Sequence, residues 1–394
     1  MRPVKGSLQR TLCLLGAVTL FGASPGWPQS FAQVDGLVAQ GIDRGLYPGA
    51  VVVIGRSDSL LYARGYGHFT WNSSAPVPNP DSTYWDIASI TKVVGTASAA
   101  MRLVDAGRLD LDSPVSRYLP RFTGGLRDQV TVRMLLDHTS GLRSYAPLFK
   151  QAHSREGAVE LLYTERPNRR PGDLAVYSDL NAIFLGLVVE SVSKLPLDRF
   201  VTREVFDPLG LEHTAYRPGP AIRRQSMPTA LWRGHPIQGQ VNDPNAAILG
   251  GAAGHAGIFT TGMDLARYAQ VWLRGGVGPK GQWVSPSTIK RFLTRGANSG
   301  PRLLGWDTPE LNNDEPSLYG TLISDAAYGH TGFTGTEIWI DPTRDLFLVF
   351  LTNRTFDPRG RNAHHGLRSL RTELSDAAIR LVPHSCQQGL VSPC

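Results

Sequence analysis

"YWDIASITKVV", residues Tyr84–Val94, places a serine three residues before a lysine, Ser89 and Lys92. The same spacing recurs at Ser191 with Lys194 and at Ser287 with Lys290, so spacing alone does not single the pair out. The surroundings do. Ser285 and Pro286 have the form of a helix cap and first helical residue, which puts Ser287 and Lys290 on an exposed turn. Ser191 and Lys194 close an amphipathic helix ahead of Leu195-Pro196, again a solvated end. Ser89 instead opens an unusually apolar helix, predicted over Ser89–Asp105 and closed by Gly107. There its side chain points out of the helix N-terminus, where the dipole favours developing negative charge. Lys92 falls one turn on, on the same face. A lysine among apolar neighbours is costly unless paired or neutralised. An amine beside a hydroxyl can accept its proton and make the serine nucleophilic.

Working outward, Val34, Val38, Ile42 and Leu46 recur at helical spacing. "GAVVVIGR" (49–56) and "SLLYARGYG" (59–67) read as a hairpin turning at Ser57-Asp58. Helices are predicted over Val132–Asp137, Arg155–Tyr163, Asp179–Lys194, Leu197–Phe206, Met263–Leu273 and Pro286–Leu293. The stretch 220–260, rich in Gly, Pro, His and Asn, reads as a long ordered loop. "TEIWIDP" (336–342) and "LFLVFLTNR" (346–354) read as a second hairpin, followed by a helix over Ala363–Leu381. No internal repeat or low-complexity linker is present. Strands at both ends with helices between them predict an α+β fold. One antiparallel sheet is built from N- and C-terminal strands flanked by helices, with a mostly helical region inserted.

Of the 394 residues 41% are hydrophobic and 19% charged, enough to build a large core in one domain. The net charge of +7 comes mostly from scattered arginines without aromatic interleaving, which speaks against nucleic acid as a partner. Residues 1–32 read as an export signal: Arg2, Lys5 and Arg10, then the apolar run "TLCLLGAVTLFGA", then small residues Ser30 and Ala32. The run is too short for a transmembrane anchor. The expected organisation is signal 1–32, one hydrolase domain 33–383 and a tail 384–394, with a periplasmic or extracellular destination. Cys386 and Cys394 could close a small loop in that tail or stay free. Ser24 in "GASPG" (22–26) lies inside the signal and follows no strand, so it is set aside as a nucleophile. His364-His365 reads as a surface pair. His235, Asp243, Asn245 and His255 read as an internal hydrogen-bond cluster rather than a metal or pocket site. No metal or cofactor is expected.

"DIASITKVV" resembles the active-site helix of the penicillin-recognising serine hydrolases, in the class C β-lactamase-like branch. That branch also contains D,D-carboxypeptidases, D-aminopeptidases and family VIII esterases. The resemblance continues in order through "MRLVDAGRLDLDSPVSRYLP" (101–120), "VRMLLDHTSGL" (132–142), "PGDLAVYSDLNAIFLGLVVE" (171–190), "GGAAGHAGIFTTGMDLARY" (250–268) and "GHTGFTGTEIWIDP" (329–342). It implies the β-lactamase/transpeptidase-like fold and a hydrolase in which Ser89 becomes acylated, Lys92 eases loss of its proton and Tyr177 shuttles protons. A phenol is a poor base in water, and an adjacent ammonium improves it. The resemblance also implies an oxyanion site between the backbone N–H groups of Ser89 and Phe333, on the strand after His330-Thr331-Gly332. Two positions depart from the family pattern. Asp179 replaces the usual Asn, so an acceptor stands where a donor is expected. Asn181 lies two residues on, where a helix turns it away. His330 replaces the lysine of the β-lactamases and is expected to add an ionisation at roughly pH 6–7. Both changes argue against an efficient dedicated β-lactamase. The substrate is expected to be a small-molecule or peptidoglycan-derived ester, amide or D-peptide. A silent wall-binding protein of the same fold is the alternative; retention of Ser89, Lys92 and Tyr177 speaks against it.

Overall fold

The run Gly49–Gly55 (β1) contains three valines and an isoleucine, and all seven of its residues are buried. Leu346–Thr352 is likewise buried throughout. Such unbroken apolar runs suit strands covered on both faces, in contrast to the alternation of a half-solvated strand. In the computed structural model, which describes residue 1 and residues 31–232, 234–309, 317–357 and 364–382, the two pair antiparallel at the centre of one sheet. The remaining strands are β2 (Leu60–Gly67), β3 (Tyr328–Thr331) and β4 (Glu337–Asp341), with Leu346–Thr352 as β5; the order is β3-β4-β5-β1-β2. Every pairing is antiparallel, with registers such as Val53↔Val349 and Trp339↔Leu348. The sheet is therefore assembled from the two ends of the chain, as the sequence pattern predicts.

The pleat sends alternate residues to two cores. Ala50, Val52, Ile54, Trp339 and Phe350 pack beneath α1 (Ala32–Asp43) and the last helix, His364–Leu381, through Val34, Val38, Leu370 and Leu374. Val51, Val53, Ile338, Ile340 and Val349 face the larger core, built by the inserted helices. Among these are α2 (Ser98–Asp105), α3 (Asp179–Ser193) and α4 (Gly262–Leu273), with His364–Leu381 then α5. Among the described residues no single helix is long and apolar enough to cross a membrane.

Four expectations need correction. Ser89–Asp105 is not one regular helix: a 3₁₀ turn over Ala88–Ile90 runs into a π-helical stretch over Lys92–Ala97 and only then into α2. The 220–260 segment contains a helix at Pro220–Arg224, a hairpin of Pro228–Trp232 with His235–Gln238, and a helix at Pro244–Ile248. Proline at the first helical position starts both helices. The helix ending at Ser193 is a core helix, buried over most of its first eleven residues, rather than an amphipathic one. Phe333 sits in the turn between β3 and β4, not on a strand. Residues 2–30 of the expected export signal, with Ser24, the side chains of His364-His365, and Cys386 and Cys394 lie outside the described residues, whereas Ala32, expected to end that signal, opens α1.

Candidate active site

A short sheet fixes the nucleophile turn. Trp85 and Asp86 pair with Thr260 and Phe259, and the Ile87 N–H donates to the Ile258 carbonyl at 3.1 Å. The buried Asp86 carboxyl accepts from the Ala88 N–H at 2.9 Å and the Asn242 N–H at 2.7 Å. Burial raises this carboxyl to about 6, against the two backbone donors and with help from Asp243. Ala88 has φ +45°, a left-handed conformation uncommon for a residue with a Cβ. The 3₁₀ turn follows at once. Across the junction of that turn with the π-helical stretch that starts at Lys92, the Lys92 Nζ donates to Ser89 Oγ at 2.9 Å. The β3–β4 turn presses on the same place. Thr334 Oγ1 donates to the Asp86 carbonyl at 2.7 Å. A Cβ on Gly332 would stand 2.5 Å from the Ile87 carbonyl oxygen, so only glycine lets the two segments approach.

Lys92 is 4% exposed. Besides Ser89 its ammonium meets Asp179 Oδ1 at 2.7 Å and the His255 carbonyl at 3.4 Å. Burial alone would push its pKa down, yet its interactions with Tyr177 and Asp179 outweigh burial and hold it above the usual lysine range. Lys92 is thus a cation at neutral pH and donates to the serine, which shifts the base role expected of it elsewhere. Asp179, the acceptor that stands where the family pattern has Asn, is its counterion.

Tyr177 precedes α3, whose N-cap is Ser178; that hydroxyl accepts from the Asn181 N–H and donates to the Arg143 carbonyl at 2.6 Å. The Lys92 Nζ lies 4.8 Å from the Tyr177 ring centre. Asn181 is turned away, buried against Ser140 and His138. His138 escaped the sequence reading. Its ring centre is 4.8 Å from that of Tyr177. Its Nδ1 accepts from the Ser178 N–H at 3.2 Å, which assigns the proton to Nε2. Burial, then Arg302, Lys92 and His330, hold it well below the usual histidine range.

His330 is 2% exposed, on β3, with its ring centre 5.9 Å from that of Tyr177. Its Nδ1 donates to the Thr331 carbonyl at 2.8 Å. Burial is the main cause that lowers it to about 4; Lys92 and Arg302 act the same way and Asp307 opposes. The ionisation expected near pH 6–7 is therefore overturned: the imidazole is neutral there. Arg302, also missed, has its guanidinium carbon 4.8 Å from the Tyr177 ring centre.

One cleft of about 660 Å³ has Ser89, Tyr177, Asp179, Arg302, His330, Thr331, Gly332 and Phe333 on its wall. Phe333 is 64% exposed beneath the Arg354 guanidinium. A separate opening of about 430 Å³ at Arg155, Glu190, Asp198 and Arg217 holds none of them. Of the expected loop cluster, His255 Nε2 meets Asp243 Oδ1 at 2.9 Å, and Asn245 bonds the Ala146 carbonyl and the Phe149 N–H. His235 stands apart on an exposed strand. Donor atoms of Asp179, Asp243 and His255 gather within 4.8 Å of one another, a set that could hold a metal ion. Lys92 already sets its positive charge against Asp179 there.

A buried lysine bonded to a cleft-lining serine beneath a tyrosine, at the junction of an antiparallel sheet and a helical region, defines a serine hydrolase architecture. The sequence model of the β-lactamase family matches residues 34–371, and the chain belongs to that family. A relative from Escherichia coli O157:H7, which bears the provisional name D-alanyl-D-alanine carboxypeptidase, is 30% identical over 360 residues, covering 83% of this chain and 82% of that one. Among solved structures, a class C β-lactamase superposes with TM-score 0.70 at 20% identity, over 86% of this chain and 95% of the other. A penicillin-binding protein homologue from Caulobacter crescentus gives TM-score 0.68 at 22% identity, over 89% and 97%. These likenesses establish the fold.

Proposed function

We propose that the protein is an exported serine hydrolase that cleaves D-peptide amide or ester bonds through an acyl-Ser89 intermediate, as a D,D-carboxypeptidase does. The observation that carries this reading is the buried Lys92 ammonium, 2.9 Å from Ser89 Oγ and 2.7 Å from Asp179. Ser89 Oγ attacks the carbonyl carbon, and its proton passes by way of Tyr177 to the leaving amine or alcohol. Lys92 stays protonated and stabilises negative charge on both oxygens. Water then attacks the acyl-serine, giving its proton back along the same path. The N–H groups of Ser89 and Phe333 serve as oxyanion donors, each worth roughly 3 kcal/mol at comparable sites. The relatives' name supports the D-peptide substrate class, and the replacement of lysine by a neutral His330 supports weak β-lactam turnover.

The test compares wild type with Ser89→Ala on a fluorescent penicillin, a short p-nitrophenyl ester and a D-Ala-D-Ala peptide. Labelling and turnover are expected in wild type only, with the peptide as the best substrate. Equal labelling of both proteins rules out acyl-Ser89; ester turnover without peptide cleavage rules out the D-peptide class.

A further inference from the structure

The cations of the cleft differ in what neutralises them. Lys92 meets Asp179 at 2.7 Å, and Arg302 pairs with Asp307. Arg371 sets its Nε 3.4 Å from Glu337 Oε2 and donates to the Thr336 carbonyl at 2.9 Å. Arg354, on the same wall, has no ion-pair partner among the described residues. Its guanidinium carbon stands 4.7 Å from the centre of the exposed Phe333 ring. Burial, then the like charge of Arg371, lowers it to about 10, so it is still a cation at neutral pH. Its place is built by the backbone. Arg354 follows β5, and its N–H donates to the Thr334 carbonyl at 3.0 Å. A Cβ on Gly335 would stand 3.0 Å from Arg354 Cγ, so the glycine gives the arginine stem its passage. Thr334 in turn donates to the Asp86 carbonyl, and Gly332 packs on Ile87. One turn thus ties the guanidinium to the segment that presents Ser89.

A half-buried cation without a countercharge is costly, and stacking on an aromatic face offsets only part of that cost. Stacking leaves free the N–H edge of a guanidinium, the edge that grips a carboxylate with two parallel bonds. Asp243, ionised at neutral pH on another part of the same wall, repels an anion there. Arg354 is left as the docking point for negative charge. We propose that Arg354, stacked on Phe333, is a specificity-determining residue that docks an acidic side chain of the substrate. The inference deepens the D-peptide reading and rests on it: every such substrate ends in one carboxylate, and Arg354 selects those that carry a second. That carboxylate can belong to the residue on the acyl side of the scissile bond or to the departing residue; both present the same chemistry to the guanidinium.

The test uses the N-acetylated dipeptides D-Glu-D-Ala and D-Ala-D-Glu, each against its uncharged twin with D-Gln. Binding to the Ser89→Ala protein is read by calorimetry, and cleavage by wild type is read from the amino acid released. One of the two D-Glu peptides is expected to bind roughly tenfold tighter than its D-Gln twin, the scale of one charge-assisted bond. Which one it is says whether the carboxylate sits on the acyl or the departing side. In the same background Arg354→Gln abolishes that preference, Arg354→Lys keeps part of it and Arg354→Glu reverses it. Arg155→Gln, at the separate opening, removes one positive charge from the protein and leaves the preference in place. Equal binding within both pairs by a folded Ser89→Ala protein overturns the proposal. So does a preference that survives Arg354→Gln, or one that Arg155→Gln weakens as much, which would make it an effect of overall charge. Cleavage decides the underlying reading separately: if no dipeptide is cleaved while the preference stands, the D-peptidase activity fails and the docking role of Arg354 remains.

Discussion

Three Ser-x-x-Lys pairs share one spacing and have three different environments. Ser287 and Lys290 are both exposed on the helix Pro286–Phe292, with Ser287 bonded to the neighbouring Ser285 hydroxyl. Ser191 donates to the Tyr118 carbonyl at 2.7 Å, and Lys194 is an exposed left-handed cap. Only Lys92 is buried, and only it meets its serine, across the junction of a 3₁₀ turn and a π-helical stretch, with Asp179 supplying the countercharge. In a regular helix residues three apart are offset around the axis. The comparison teaches that the motif's chemistry lies in local backbone geometry and charge burial, and that the spacing is merely compatible with it.

The contrast breaks most visibly at the serines. Ser89→Ala should lower ester turnover about a thousandfold or more, whereas Ser287→Ala should leave it unchanged; equal effects in the two would erase the distinction. Next is Asp179→Asn, which leaves the buried ammonium without its counterion. Urea unfolding should show a loss of about 2–3 kcal/mol, below the full value for a buried pair because Asp179 is 20% exposed. Unaltered stability would mean that the pair does not hold Lys92 in place. His330→Gln addresses pH. The folded imidazole is lowered to about 4, while an unfolded one titrates near ~6.5. The unfolded chain therefore binds more protons between those values, and stability drops as pH falls through that window. The variant should resist this acid loss by on the order of 2 kcal/mol and keep the wild-type rate dependence between pH 6 and 7. A rate step that disappears there would show that His330 titrates in the working range after all. The smallest effect belongs to the surface pair. Ser285 caps its helix by accepting from the Thr288 N–H and also donates to Asp105 at 2.7 Å. Ser285→Ala should cost about 1 kcal/mol of stability with activity intact.

The hairpins Gly49–Gly67 and Glu337–Thr352 were legible because long β-branched runs end at turn residues, and α3 and α4 because their apolar residues persist over several turns. The order of blocks carrying Ser89, Lys92, Tyr177 and His330 was equally legible. What escaped has physical reasons. The pairing of the two-residue strand Trp85–Asp86 with Phe259–Thr260, which fixes the nucleophile, is a tertiary contact that leaves no local period. The 3₁₀ and π turns around Lys92 carry no proline to announce them. Arg302 reaches Tyr177 because its partner Asp307 forms a β-bridge to Gly329, a tertiary pairing that leaves no periodic trace nearby. His330 was read at its solution behaviour, and only the burial of its ring reveals how far it is displaced.

Ala88 carries the last consequence. A left-handed residue with a Cβ gives up roughly 1–2 kcal/mol relative to its relaxed form, and this one adjoins Ser89. Glycine would relieve that cost, yet it would also widen the conformations open to the unfolded chain and to the loosened turn. The protein keeps alanine, buried at 7% exposure. Its nucleophile is thus held by a backbone that relaxes if its neighbours let go, so thermal inactivation should begin at the site, ahead of the sheet.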